Sequence, residues 1–316
     1  MHNLRHLKYI TEAARLGSIT EASRRLRVSQ PAISAAIRVF EEEFKIRLFV
    51  RNPSQGLSLT PSGRHFVTRA RELLGNADDF ENLFNETEGD NLFGRLEITC
   101  YAAPAPLLVP NLFKHFYNQY PDVELGLHEG NMEQVATSIK DGTADLGLTY
   151  DIYPDSDIDH DLITELAPFI VMSSKNPLAQ KKTVSLKELE KEPLIMMDSP
   201  GYRDYLINYF SMYNLKPSIQ HRPTTNEMVR GMVSTENGYS ISLVKIKNTL
   251  SYDGNSLVNV ELKEVPPRVN LVIATLKGYR RSRLAEAFIE ICKTKLKTVS
   301  TGNSVHSTDY DAVDVD

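Results

Sequence analysis

At 316 residues and 41% apolar composition, the chain is long enough to bury more than one core, and about two domains are expected. No apolar run approaches the roughly 18 to 20 residues of a membrane span, and no apolar stretch near Met1 leads to a small-residue cleavage site, so a cytoplasmic protein with no membrane partner is expected. The net charge of −5 is uneven, because residues 1–71 hold 13 Lys+Arg against 5 Asp+Glu, a balance of +8 that leaves −13 on the rest, and this points to a polyanion bound by the N-terminal part alone.

Three helices fit into the first 50 residues. Leu4, Leu7, Ile10, Ala14 and Leu16 give the first an apolar face, and Gly17-Ser18 stops it. A second short helix over 20–26 turns Ala22 and Leu26 inward. The turn Arg27-Val28-Ser29 leads into a third, whose Ile33, Ile37, Phe40 and Phe44 step at helical spacing. Ser29 suits its N-cap, and Pro31 its first turn, where a missing N–H has no partner to lose. Apolar residues on either side of the turn-rich segment 52–56 predict a hairpin or wing.

Thr60-Pro61 starts a long helix that continues to about Asn91. Phe66, Ala70, Leu73, Ala77, Phe80 and Phe84 recur at alternating spacings of 4 and 3, an a/d seam that favours dimerisation through this helix. From Arg95 strands and helices alternate, which predicts right-handed βαβ units with a parallel sheet. Two α/β lobes joined by crossings near 164–168 and 265–268 are expected. The full division is a DNA-binding head at 1–59, a linker helix at 60–93 and an effector region at 94–298. Within that region lobe I takes 94–165 and 269–298, lobe II takes 166–268, and a disordered acidic tail follows at 299–316.

At 100° per residue, Pro31, Ser34, Ala35 and Arg38 lie opposite the buried stripe of the third helix, and Gln30 projects from its start. A face lined with small residues can enter the major groove of double-stranded DNA closely. There Gln30 suits a bidentate pair with adenine, Ser34 offers an adaptable hydroxyl, and Arg38 suits a guanine edge or a phosphate. Ser18, Thr20, Ser29 and Arg51 complete the candidate contacts, Ser18, Thr20 and Arg51 as backbone anchors.

These stretches resemble the LysR-type transcriptional regulators from about Leu4 to Lys297. "GSITEASRRLRVSQPAISAAIRVFEEEFKIRLFVR" and "LSLTPSGRHF" are similar to the family's winged helix-turn-helix and linker start. "GRLEITCYAAPAPLLVPNLFKHFYNQYPDVELGLHEG" and "IKDGTADLGL" look like the first effector lobe. The resemblance implies an α/β chain with a two-lobed effector domain like that of periplasmic binding proteins. It also implies a cytoplasmic homotetramer that binds an interrupted palindrome, with RNA polymerase as a further partner, and responds to a small molecule between the lobes. Where the family often places Arg or Lys after Ser34, this chain has Ala35.

Ligands of open α/β sheets sit outside the carboxyl ends of strands. That rule selects Tyr101, Ala102, Ala103, Pro104, Asn131, Thr149 and Tyr150 in the first lobe, and Ser199, Tyr202, Thr225 and Asn226 in the second. Helix N-termini at Ser199, Thr225 and Asn226 favour a carboxylate. Many relatives offer a hydroxyl to a carboxylate in the first-strand loop, where this chain has Ala102-Ala103. A metabolite with a carboxylate or aromatic part is expected. Glu129, Asp151 and Asp198, if turned inward, would instead suit an amine or zwitterion.

Two lobes around a cleft also suit a solute-binding component, against which stand the basic head and the missing export signal. No glycine-rich phosphate loop, nucleophile elbow or metal-ligand spacing is present in the sequence, so neither an enzyme nor a cofactor or metal is expected. Cys100 and Cys292 are expected as core thiols, and 151–161, "DIYPDSDIDHD", as a solvated crossover loop.

Overall fold

In the computed structural model, residues 3–52, 56–84, 92–235 and 238–296 are described, with backbone alone at 51–52 and 81–84. The expected tail and the end of the linker helix beyond Phe84 lie outside the described residues. The head is built from three capped helices and a hairpin. Helix α1 (Leu4–Leu16) starts where the Asn3 side chain accepts from the Arg5 N–H, and ends at Gly17 with φ 57°. Helix α2 (Ile19–Leu26) is capped by Ser18, and α3 (Gln30–Phe44) by Ser29, which accepts from the Ala32 N–H with Pro31 in the first turn. Leu7, Ile10, Ala22, Ile33, Ala36 and Phe40 close the head core. The expected inward Phe44 is 47% exposed, and it stacks along Phe40 with 5.9 Å between ring centroids. Strands β1 (Phe49–Asn52) and β2 (Gly56–Leu59) pair antiparallel as the wing.

Helix α4 (Pro61–Phe84) begins where the Thr60 hydroxyl accepts from the Gly63 N–H at 2.9 Å. Its seam divides between two jobs. Ala70 is buried in the head core, together with Leu74, and Phe66 packs edge-on against Phe40 at 5.1 Å, so the first half of the seam belongs to its own head. Leu73 and Phe80, further along, are exposed. Val67 and Leu74 were not in the expected stripe, because a straight 3.6-residue helix drifts off a strict heptad and brings neighbouring positions onto the packed face.

Lobe I contains β3 (Gly94–Tyr101), α5 (Ala105–Gln119), β4 (Val123–Gly130), α6 (Met132–Lys140), β5 (Leu146–Tyr150) and β6 (Ile158–Leu166). The chain crosses into lobe II at Ala167-Pro168. There it forms β7 (Phe169–Ser173), β8 (Thr183–Val184), α7 (Leu186–Leu189), β9 (Pro193–Ile195), α8 (Pro200–Met212), β10 (Ser218–His221), α9 (Asn226–Thr235), β11 (Tyr239–Ser242) and β12 (Leu257–Leu262). It returns through β13 (Val269–Leu276) and α10 (Arg283–Leu296) to finish lobe I. The sheet orders are β4-β3-β5-β13-β6 and β10-β9-β11-β7-β12-β8.

Both sheets are mixed, which corrects the expectation of a parallel sheet. Strand β3 pairs parallel with β4 and β5, but the returning β13 pairs antiparallel with β5 and β6. A chain that leaves one lobe and comes back must re-enter it in the opposite direction. Strand β6 also replaces part of the expected crossover loop: Ile158, Ile163 and Leu166 are buried while Asp159 and His160 face outward. Three of the five carboxylates of that stretch go to separate partners, Asp151 to Asn270, Asp155 to Lys140 at 2.6 Å and Asp161 to Arg281. Cys100 and Cys292 are both fully buried in the lobe I core, where burial pushes both thiols up, away from the thiolate.

The basic head and linker meet an acidic face of lobe I. Arg25 pairs with Glu124, Arg64 with Asp141 at 3.2 Å, and Arg71 with Asp145 at 2.9 Å. Glu97 is 2% exposed, with Arg15 at 3.6 Å, His128 at 3.3 Å and Arg95 in contact. Part of the charge asymmetry is therefore neutralised inside the molecule.

Candidate nucleic-acid interface and effector cleft

Helix α3 buries Ile33, Ala36, Ile37 and Phe40 and leaves Gln30, Pro31, Ala35 and Arg38 exposed, with Ser34 half-buried. The Arg38 side chain is 73% exposed, and among the described residues its one ion pair is a loose 3.8 Å contact to Glu42, one turn on, a geometry that leaves it available to a polyanion. Three of the expected DNA contacts also have local main-chain or capping roles. The Ser18 and Ser29 hydroxyls cap α2 and α3, and the Thr20 carbonyl accepts from the Ser23 hydroxyl. A capping hydroxyl accepts from the helix and keeps its own hydrogen to donate, so Ser18 and Ser29 can still meet a phosphate. The Arg51 side chain lies outside the described residues.

Between the lobes lies an open cavity of about 50 Å³, or about 640 Å³ of empty space when its mouth is counted. Strand ends and helix starts from both lobes form it. Tyr101 and Tyr150 meet edge to face at 5.3 Å, and Tyr202 enters from the start of α8, its hydroxyl donating to the Ile241 carbonyl. Burial raises the phenols of Tyr101, Tyr150 and Tyr202, so they stay protonated and act as neutral groups. Asn226, at the start of α9, donates to the Ala103 carbonyl across the cleft at 2.8 Å.

Residues 4–64 match the model of the bacterial regulatory helix-turn-helix protein, lysR family, and residues 89–297 match that of the LysR substrate binding domain. The chain belongs to the LysR family. It is 28% identical over 303 residues to the HTH-type transcriptional regulator YvbU of Bacillus subtilis, covering 91% of this chain and 96% of that one. Against the regulator CysB of Haemophilus influenzae the identity is 29% over 258 residues, 80% of this chain and 78% of CysB. The crystal structure of HinK, a LysR family transcriptional regulator from Pseudomonas aeruginosa, matches with TM-score 0.63 and 32% identity over 95% of this chain and 100% of that one. The protein is thus a LysR-type transcriptional regulator with an effector-binding domain, and its homologues are regulators, not enzymes.

Within this LysR protein, Tyr101, Ala103, Tyr150, Tyr202 and Asn226 line the cavity. The other expected effector residues lie off it, each for a local reason. Ala102 faces solvent, and Pro104 is buried at the start of α5. Asn131 is held in a capping box with Gln134, and Thr225 caps α9 by accepting from the Met228 N–H. Thr149 faces a smaller space behind β5, and Ser199 is buried at the start of α8. The three acidic residues expected near the mouth do not line it either. Asp151 accepts from the Asn270 main chain and side chain, Asp198 lies 3.6 Å from Arg203, and Glu129 is exposed. Lining residues absent from the sequence reading include Phe169, Val171, Val229 and Arg230. Val229 and Arg230 fall three and four residues after Asn226, a helical spacing that would have found them.

Proposed function

We propose that this LysR-type regulator reads a double-stranded operator with α3 and changes its output when a small metabolite with a carboxylate or aromatic part enters the cleft between the lobes. The observation that carries the reading is the free recognition face of α3, Gln30, Pro31, Ser34 and Arg38, on a basic head fixed to the same lobe that forms half of the cleft. In this reading Gln30 contacts an adenine edge, Arg38 a guanine edge or a phosphate, Ser34 adapts, Ser29 and Pro31 complete the contact surface, and Ser18, Thr20 and Arg51 hold the sugar-phosphate backbone. Tyr101, Ala103, Tyr150, Tyr202 and Asn226 surround the metabolite, and lobe closure passes its binding to the heads.

The working assembly in this reading is cytoplasmic, a dimer through the exposed part of the α4 seam at Leu73 and Phe80 and a homotetramer overall, with RNA polymerase as its partner at the promoter. The test is a titration of full-length protein with DNA from upstream of its own gene at several salt concentrations. Tight binding that weakens steeply with salt supports the reading. No binding to that DNA at low salt contradicts it.

A further inference from the structure

We propose that Arg230 selects the effector's charge, so that the cleft takes a small aromatic monocarboxylate with its ring among the tyrosines and its carboxylate on this guanidinium. The inference rests on the reading of the cleft as the effector site.

Among the described residues that line the cavity, Arg230 is the one ionised group and none is a carboxylate. It sits in the second turn of α9, half-buried, and no acidic side chain lies within salt-bridge distance of it among the described residues. Its guanidinium is nonetheless held in place. One terminal nitrogen, Nη2, donates to the carbonyls of Asn248 at 2.6 Å and Leu250 at 2.9 Å, which leaves the other terminal nitrogen and Nε without a described hydrogen-bond partner. Burial lowers the guanidinium pKa, and the Glu227 carboxylate one turn earlier partly offsets this.

The two hydrogen bonds that hold this guanidinium are exposed, so it sits at the edge of the cleft, where an entering anion can pair with it and a cation is repelled. The remaining walls set the rest of the ligand. Tyr101, Tyr150, Tyr202 and Phe169 present ring faces and edges, and the phenols are neutral, so they suit an uncharged ring. A second carboxylate on the ligand would meet the neutral Ser240, Ser242, Asn226 and Asn259 but no second cation among the described lining residues. The cavity volume of about 50 Å³ is small for a whole ring, so a ring enters only as the walls move apart.

The test compares two probes of one shape, benzoate and benzamide, by calorimetric titration of the full-length protein. Wild-type protein binds benzoate at least about tenfold more tightly than benzamide, as a charge-assisted pair requires. Arg230→Gln removes the charge and shortens the side chain, and its preference falls to about even; Arg230→Lys, a second variant should the first not fold, keeps the charge without the planar fork and retains only part of the preference. An equal affinity of wild type for the two probes, or an undiminished preference in Arg230→Gln, overturns the proposal. Ala103→Phe, which fills the cavity, separates the two readings. If benzoate binds this variant as well as wild type, the cleft itself is not the site. If binding is lost here while the preference survives in Arg230→Gln, only the role of Arg230 falls.

Discussion

The side-chain amide of Asn226, the first residue of a lobe II helix, donates to the main-chain carbonyl of Ala103 in lobe I at 2.8 Å. This hydrogen bond spans the cleft, so it exists only while the lobes are together, and it gives the closed arrangement a measurable stabilisation. Asn226→Leu keeps the approximate size and removes the donor. It is expected to weaken closure by about 1 kcal/mol, about fivefold in the open-to-closed ratio. Amide hydrogen exchange should speed up at 101–104 and 226–230 with little change elsewhere. Unchanged exchange at both segments would count against a closing role for this bond.

Docking of the head on lobe I depends on a glycine. A Cβ built on Gly126 would lie 2.0 Å from Glu97 Oε2, so the buried carboxylate occupies space that any side chain on β4 would take. Gly126→Ala should displace Glu97 and loosen Arg15 and Arg95 together, and Glu97→Gln should weaken the same contacts without the steric push. Small-angle scattering should then report a larger radius of gyration for both variants, more so for Gly126→Ala. An unchanged profile in both would show that the other pairs, Arg64–Asp141 and Arg71–Asp145, suffice.

Acid should reveal the pair that braces α6 to the loop before β6. The Lys140 ammonium, 2.6 Å away, holds the Asp155 carboxyl below its usual range. A carboxyl whose folded pKa is depressed contributes stability above its unfolded pKa, near about 3.9, and loses it as pH falls through the folded value. Asp155→Asn should therefore be less stable than wild type at neutral pH, and the gap should close below roughly pH 4. Urea melts at pH 7 and pH 3 check the sign, and a gap that widened in acid would refute it.

Lys45 ends α3 with φ 52°, in the left-handed region that a side chain disfavours. Lys45→Gly relieves that cost of about 1 to 2 kcal/mol while adding chain entropy in the unfolded state, for an expected gain of about 0.5 to 1 kcal/mol. Thermal unfolding of the isolated change measures it. A loss of stability would mean that the lysine side chain makes a compensating contact.

The head was legible because its signals are local. Ser18, Ser29 and Pro31 mark helix starts, and the 3.6-residue stripe of Ile33, Ile37 and Phe40 fixes which face of α3 is free. The effector region was legible in its alternation and in both crossings, but less so where tertiary pairing overrides pattern. Strand β6 carries Asp159, His160 and Asp161 because it is an edge strand with one wet face, so its charges hid it. The rule that ligands gather at strand ends selected Tyr101 and Tyr150, which line the cavity, but Phe169 and Val171 line it from the first half of β7, away from a strand's carboxyl end. Asn131 and Thr225 misled for a shared reason: a polar residue at a helix start is as often occupied by its own helix as by a ligand.

The central claim is sequence-specific DNA reading by α3, and a mobility-shift measurement tests it most directly. Full-length protein, Gln30→Ala and Arg38→Ala are each titrated against the DNA upstream of the protein's own gene, with unrelated DNA as competitor. Both side chains are exposed and outside the core, so the variants should melt like wild type. The wild-type complex should resist competitor, and each variant should lose about 1 to 3 kcal/mol of specific affinity while retaining salt-sensitive non-specific binding. Folded variants that shift this DNA as strongly and as selectively as wild type would contradict the account.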